Sequence, residues 1–142
     1  MISRRFDELA VREFHDIARL RSEVFVVEQG CVYLDLDGRD VEPATEHHWL
    51  SLDGEVACYA RTLVEPDGAV RIGRVVTAPA RRGAGLAASL VTALVERHAG
   101  EPLVLEAQSH LADWYSRLGF VVTGAEYLED GIPHVPMRRD PP

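Results

Sequence analysis

The sequence predicts an α/β (α+β) fold: a mixed, mostly antiparallel central sheet of six to seven strands flanked by helices, in a single domain over residues 1–142. Three observations predict it. Residues 47–77 are strand-like runs broken by turn signals at Asp53-Gly54 and Pro66-Asp67-Gly68, the pattern of an antiparallel meander. From Gly83 onward, helical and strand-like apolar spacing alternate, which reads β-α-β-α-β-β. A chain of 142 residues with 46% apolar and 27% charged side chains is long enough, and apolar enough, to bury one core.

Each element follows from local chemistry. Residues 3–6 read as a short edge strand. Val11, Phe14, Ile17, Ala18, Leu20, Val24 and Phe25 recur at helical spacing, so residues 10–25 form an amphipathic helix. Residues 30–45, rich in Asp, Gly and Pro, read as loop. Residues 47–52 and 55–64 flank Asp53-Gly54 as a hairpin, and 69–77 is the next strand, closed by Pro79. A helix over 83–99 carries Leu86, Leu90, Leu94 and Val95 on one face and stops at Gly100. The short apolar run 103–107 is a buried strand, 111–118 a shorter helix ended by Gly119. Residues 120–123 and 134–137 are final strands joined through Asp130-Gly131.

Composition removes several function classes. A net charge of −8 argues against general nucleic-acid binding, which needs a basic face. No apolar run approaches the roughly 20 residues that span a bilayer, and the N-terminal residues lack the apolar stretch of a secretory signal. Cys31 and Cys58 are too few for a disulfide scaffold or a zinc site. A cytoplasmic protein is expected. All 15 basic residues are arginine, so a reaction on lysine must take place on a partner.

The informative stretch is Val75-Val76-Thr77 followed by Arg81-Arg82-Gly83-Ala84-Gly85-Leu86-Ala87. A strand, an arginine-glycine loop and a helix start form an anion-binding arrangement. The first helical N–H groups have no internal partner, and glycines let a phosphate reach the backbone. No Gly-Lys-Ser/Thr follows, so it is not a P-loop. Gly83-Ala84-Gly85-Leu86-Ala87-Ala88 matches the dinucleotide fingerprint, and Glu106 follows about 20 residues later. Against that reading, Ala78 to Arg82 separate strand from glycines, and the strand lies mid-chain after a meander.

The same loop resembles the coenzyme A loop of the GCN5-related N-acetyltransferase (GNAT) superfamily, Arg/Gln-x-x-Gly-x-Gly/Ala, at Arg82, Gly85 and Ala87. Residues 20–33 (LRSEVFVVEQGCVY), Ile72-Gly73-Arg74-Val75, Ala107-Gln108-Ser109-His110-Leu111, 114–120 (WYSRLGF) and 129–134 (EDGIPH) resemble its ElaA-like branch, over nearly the whole chain. The resemblance implies an acetyl-CoA-dependent transfer to a primary amine of a small molecule or peptide, without a metal. It implies that backbone groups of Val75, Val76 and Thr77 hold the acyl carbonyl and pantetheine arm, and that amides of Arg82, Gly83, Ala84, Gly85, Leu86 and Ala87 hold the pyrophosphate. Gln108 stands where many members carry an Asn that contacts pantetheine. Tyr115 stands at the general acid, and Trp114 replaces the usual Leu or Phe. Dimers are common in the superfamily, so a homodimer is a partner state the resemblance allows.

A phenol near the pKa of a departing thiol suits Tyr115 to protonating it, although an interior tyrosine packed by its ring has the same sequence signature. Glu28, Glu106, His110 and His134 are candidate bases, and the resemblance puts Glu28 and His134 first, as base or acceptor contacts. Asp35, Asp37, Asp40 and Glu42 read as a solvated loop with Asx turns, or as a lure for a cationic amine. His47 and His48 point to opposite faces of a strand and cannot easily share a metal ion. Cys31 has no neighbour in sequence that would activate it, and Cys58 reads as core. Two other functions stay open: an idle acyl-CoA-binding module on the same fold, and acyl-homoserine-lactone-type acylation.

Overall fold

The computed structural model describes residues 1–142. One eight-stranded sheet runs through it: β1 (Ile2–Arg5), β2 (Glu46–Leu52), β3 (Glu55–Val64), β4 (Val70–Thr77), β5 (Leu103–Gln108), β6 (Val121–Val122), β7 (Tyr127–Glu129) and β8 (Ile132–Arg139). The spatial order is β1-β2-β3-β4-β5-β8-β6, with β7 also on β8, and only β4 and β5 are parallel. The expected six to seven strands become eight because Tyr127–Glu129 forms a hairpin arm before Asp130-Gly131. At Asp53-Gly54 and again at Asp130-Gly131 both residues take positive φ, the two-residue turn that matches strand twist.

Helix α1 (Val11–Arg21) starts where the Glu13 carboxylate accepts from the Ala10 N–H at 2.8 Å. It packs Ile17 and Leu20, with Val24 beyond it, against Trp49, Tyr59 and Val76 on one sheet face. The coil then widens into a π-helical stretch, Ser22–Glu28, where the expected α-helix would have continued. On the opposite face α2 (Leu86–Arg97) and α3 (Ala112–Ser116) bury Leu90, Val91, Leu94 and Tyr115 against Cys58, Ile72, Leu105 and Met137. The helix expected from residue 83 begins at Leu86, because Gly83 and Gly85 sit at φ +86° and +73° and cannot lie in a right-handed helix.

The acidic loop keeps an expected Asx turn, Asp37 accepting from the Arg39 N–H at 3.1 Å, but it is solvated only in part, which corrects the rest of the expectation. Asp35 and Asp40 are buried, and with Asp37 they meet Arg21, Arg61 and Arg74. Arg21 is fully buried; its Nη1 donates to Asp40 at 2.7 Å and its Nε to Asp35 at 2.9 Å. Arg61 donates to Asp37 at 2.7 and 3.0 Å and to Asp40 at 2.9 Å. Three arginines and three aspartates balance, which is how so much charge leaves water. Both adjacent histidines are buried, one on each face. His47 Nε2 donates to the Asp40 carbonyl at 2.9 Å, so its Nδ1 accepts from the Tyr59 hydroxyl at 2.6 Å. His48 lies between Ser3 and Thr62 at 2.7 and 2.8 Å, and burial takes its pKa down to about 3.

Candidate active site

The parallel strands β4 and β5 pair only at Val70–Leu103 and Arg71–Val104. Beyond that they part. β4 keeps its ladder to β3, while β5 follows β8 through Gln108–His134. The parting is sharpened by a bulge: Tyr59 faces Val76 but Arg61 faces Gly73, so Arg74 and Val75 together oppose Ala60. Arg74 takes φ +54° there.

A cavity of about 610 Å³ lies at this parting, and it reaches both sheet faces. On the α2/α3 face its walls include Ala87, Val91, Leu105 and Tyr115; on the α1 face they include Tyr33, Arg74, Glu106 and His134. Burial alone raises the Tyr115 phenol, with no charged group or hydrogen bond contributing, so the hydroxyl stays protonated at neutral pH and free for a ligand. The His134 Nδ1 lies 2.7 Å from the Ile132 carbonyl. A carbonyl only accepts, so Nδ1 carries a proton, and Nε2 lies 3.8 Å from the Glu129 carboxylate. Tyr127 stacks on the His134 ring at 5.9 Å and its hydroxyl donates to Glu106 at 2.8 Å. Glu106 also meets Arg71 at 3.2 Å.

The glycine loop turns from β4 into α2 beside this cavity. Nothing lies within 4 Å of where a Cβ would stand on Gly83 or Gly85, so their need for glycine is the left-handed backbone and the space above them is open. The first bond of α2 is Ser89 N–H to the Gly85 carbonyl at 3.0 Å. The amides before it are therefore the orphan donors of the helix start. Both loop arginines are held by carboxylates: Arg81 by Asp53 at 2.8 Å and Arg82 by Glu28 at 2.6 Å.

Of the residues expected at the site, Val75, Ala87, Gln108, Tyr115 and His134, from five different segments, line the one cavity. Arg82 to Leu86 form the loop outside its lining. Val76 is buried in the α1-side core, and Thr77 pairs with Cys58. Glu28 stands outside the lining on Arg82, and His110 is exposed in the turn Ser109–Leu111. Cys31 lines the cavity, and burial with Asp130 nearby pushes its thiol up, away from the thiolate a nucleophile needs. Sequence reasoning missed Arg74, Tyr127 and Glu129. The Asp130-Gly131 hairpin signal would have placed Tyr127 opposite His134 and Glu129 opposite Ile132; the family-like stretch Ile72-Gly73-Arg74-Val75 contains Arg74 without giving it a role.

A mixed sheet that opens between two parallel strands, with a glycine loop leading into a helix at the opening, defines the GNAT type of acyltransferase fold. The chain belongs to that family: the acetyltransferase (GNAT) domain model matches residues 21–141. It is 44% identical to UPF0039 protein Rv2851c of Mycobacterium tuberculosis, over 93% of this chain and 87% of that one. To protein ElaA of Escherichia coli it is 37% identical, over 94% and 91%, and the ElaA crystal structure superposes with a TM-score of 0.91. The crystal structure of an acyl-CoA N-acyltransferase from Pseudomonas aeruginosa, 40% identical, superposes with a TM-score of 0.93 over 97% of each chain.

Proposed function

We propose that this protein transfers an acetyl group from acetyl-CoA to a primary amine in one direct step. The observation that carries the reading is the meeting of Val75, Ala87, Gln108, Tyr115 and His134 in one cavity at the parting of β4 and β5. The fit to the coenzyme rests on this chain's own atoms. The turn at Gly83 and Gly85 leaves open space over unpaired helix-start amides, which suits a pyrophosphate. When bound, the coenzyme supplies an activated thioester.

The roles follow from position and chemistry. Backbone groups at Val75, where β4 has left β5, orient and polarise the acyl carbonyl. Gln108, at the end of β5 on the opposite wall, offers an amide to the pantetheine arm. The neutral, buried Tyr115 hydroxyl holds a proton for the leaving thiolate. His134, which lines the cavity and whose Nδ1–H is held by the Ile132 carbonyl, accepts the proton of the incoming amine at Nε2, directly or through water. Glu28 serves the coenzyme loop through Arg82.

Titration calorimetry with acetyl-CoA and NAD, followed by thiol release over polyamines, amino acids, aminoglycosides and peptide amines, tests the reading. Binding of NAD without acetyl-CoA overturns it. Binding of acetyl-CoA with no thiol release from any amine favours an idle binding module, and preference for a long acyl chain with a homoserine-type acceptor favours lactone synthesis.

A further inference from the structure

We propose that Arg74 is a positioning residue: its guanidinium, anchored on the loop from Tyr33 to Asp37, holds the left-handed bulge of β4 that aims the Val75 backbone into the cavity. The inference rests on the acyl-transfer reading and adds to it a residue that touches no reacting atom.

Three non-glycine residues have positive φ: Asp53, Arg74 and Asp130. Both aspartates open Asp-Gly turns, where a short polar side chain tolerates this region. Arginine has no such tolerance, so tertiary contacts impose the conformation at Arg74. Those contacts all lie on one loop. Nε stands 2.8 Å from Asp35 Oδ1, Nη2 donates to the Asp35 carbonyl at 3.2 Å, and Nη2 is 3.5 Å from Asp37 Oδ2. The guanidinium lies 5.5 Å over the Tyr33 ring.

The anchor is itself fixed. Arg21 holds the Asp35 carboxylate and also its carbonyl, at 2.7 Å, and Arg61 grips Asp37 from β3. Loop and bulge therefore form one body, and each supplies a wall of the cavity through Tyr33 on one side and Val75 on the other. A shift of the loop pulls the guanidinium, and a left-handed residue that loses its anchor relaxes to the extended backbone its Cβ prefers. That relaxation turns the Val75 peptide away from the acyl carbonyl.

Arg74→Ala removes the guanidinium and keeps the Cβ that disfavours the left-handed region, whereas Arg74→Gly removes both. The probes are acetyl-CoA and S-ethyl-CoA, which lacks the carbonyl, in titration calorimetry, with hydrogen exchange over residues 29–41. One well-placed hydrogen bond to the carbonyl corresponds to about tenfold preference for acetyl-CoA in the wild type. Arg74→Ala is expected to keep S-ethyl-CoA affinity within about twofold, lose most of that preference, and exchange faster in the loop. Arg74→Gly is expected to exchange as fast in the loop but to recover most of the preference, because its backbone has no Cβ to relax. Arg74→Lys, which keeps charge without the fork, falls between wild type and Arg74→Ala and carries the same test should the alanine variant fail to fold. Wild-type preference or wild-type loop protection in Arg74→Ala overturns the inference. If the wild-type protein binds neither nucleotide, it is the acyl-transfer reading that falls.

Discussion

Glu28 and Arg82 are joined by a two-pronged ion pair: Nη2 donates to Oε1 at 2.6 Å and Nη1 to Oε2 at 3.1 Å. The pair links the end of the π-helical stretch to the glycine loop, and the hydrogen bond to Arg82 holds the Glu28 carboxyl below its usual range. On the proposed reading, an incoming pyrophosphate competes with Glu28 for the same guanidinium. Glu28→Gln is expected to tighten coenzyme binding by about two- to fivefold at low salt and to leave turnover within about twofold, because both groups are exposed and screened. Calorimetry and thiol-release kinetics on the same preparation check this. A loss of turnover near 100-fold would instead make Glu28 the base.

Tyr115→Phe removes one oxygen from a wall of the cavity and nothing from the packing. Coenzyme affinity is expected to hold while turnover falls by about 100-fold or more. Burial disfavours the phenolate, so the acid form persists above the ordinary phenol value of about 10. Activity limited by this group is therefore full at neutral pH and lost as pH rises through the elevated pKa. A pH–rate profile from 6 to 11 in wild type and Tyr115→Phe reads the missing limb directly.

Gly85→Ala places a Cβ in open space but in a left-handed backbone, at φ +73°. The strain of about 1–2 kcal/mol falls on the turn that presents the helix-start amides. Coenzyme dissociation constants are expected to rise tenfold or more, with the melting temperature lowered by only a few degrees. Gly54→Ala, in the distant β2–β3 turn at φ +77°, carries the same strain and should leave binding unchanged.

The buried charge network sets the acid limit of the fold. Hydrogen bonding to Arg61 lowers Asp37 to about 2, and Asp40 is lowered by Arg21 and Arg61 against the opposing effect of its burial. These carboxylates bind protons more readily unfolded, so their contribution is complete above about pH 4 and drains away towards pH 2. His48 acts earlier: held neutral down to about 3 when folded, it protonates near 6.5 once unfolded, so stability already declines as pH falls below 6.5. Asp40→Asn leaves Arg21 and Arg61 short of charge and is expected to cost about 3–5 kcal/mol in urea denaturation at pH 7. A loss below about 1 kcal/mol would mean that the network carries little of the fold.

The residues that could be read from sequence are those whose role is local. Asp53-Gly54 dictates its hairpin, Gly83 and Gly85 dictate their turn, and Leu90 and Leu94 name the buried face of their helix, because backbone sterics and side-chain periodicity act over a few residues. Tyr115 and His134 were legible as candidates through family resemblance rather than periodicity, and the fold brings both to the cavity. What remained hidden depends on distant partners. An Asp-rich loop has the composition of a solvated one, and only the arrival of Arg21, Arg61 and Arg74 from three other segments takes Asp35 and Asp40 into the interior. Arg74 stands in the family-like stretch Ile72-Gly73-Arg74-Val75, but nothing there marks its left-handed backbone, and its partners Asp35 and Asp37 lie on a loop far away in sequence.

The early separation of β4 from β5, after two paired residues, makes the sheet a partition with a slot in it. On the proposed reading, donor and amine come to that slot from opposite sides. Neither blocks the other's route. Initial-rate plots at varied donor and amine should then intersect, the pattern of a ternary complex, and added coenzyme A should compete with acetyl-CoA while leaving the amine's doorway open.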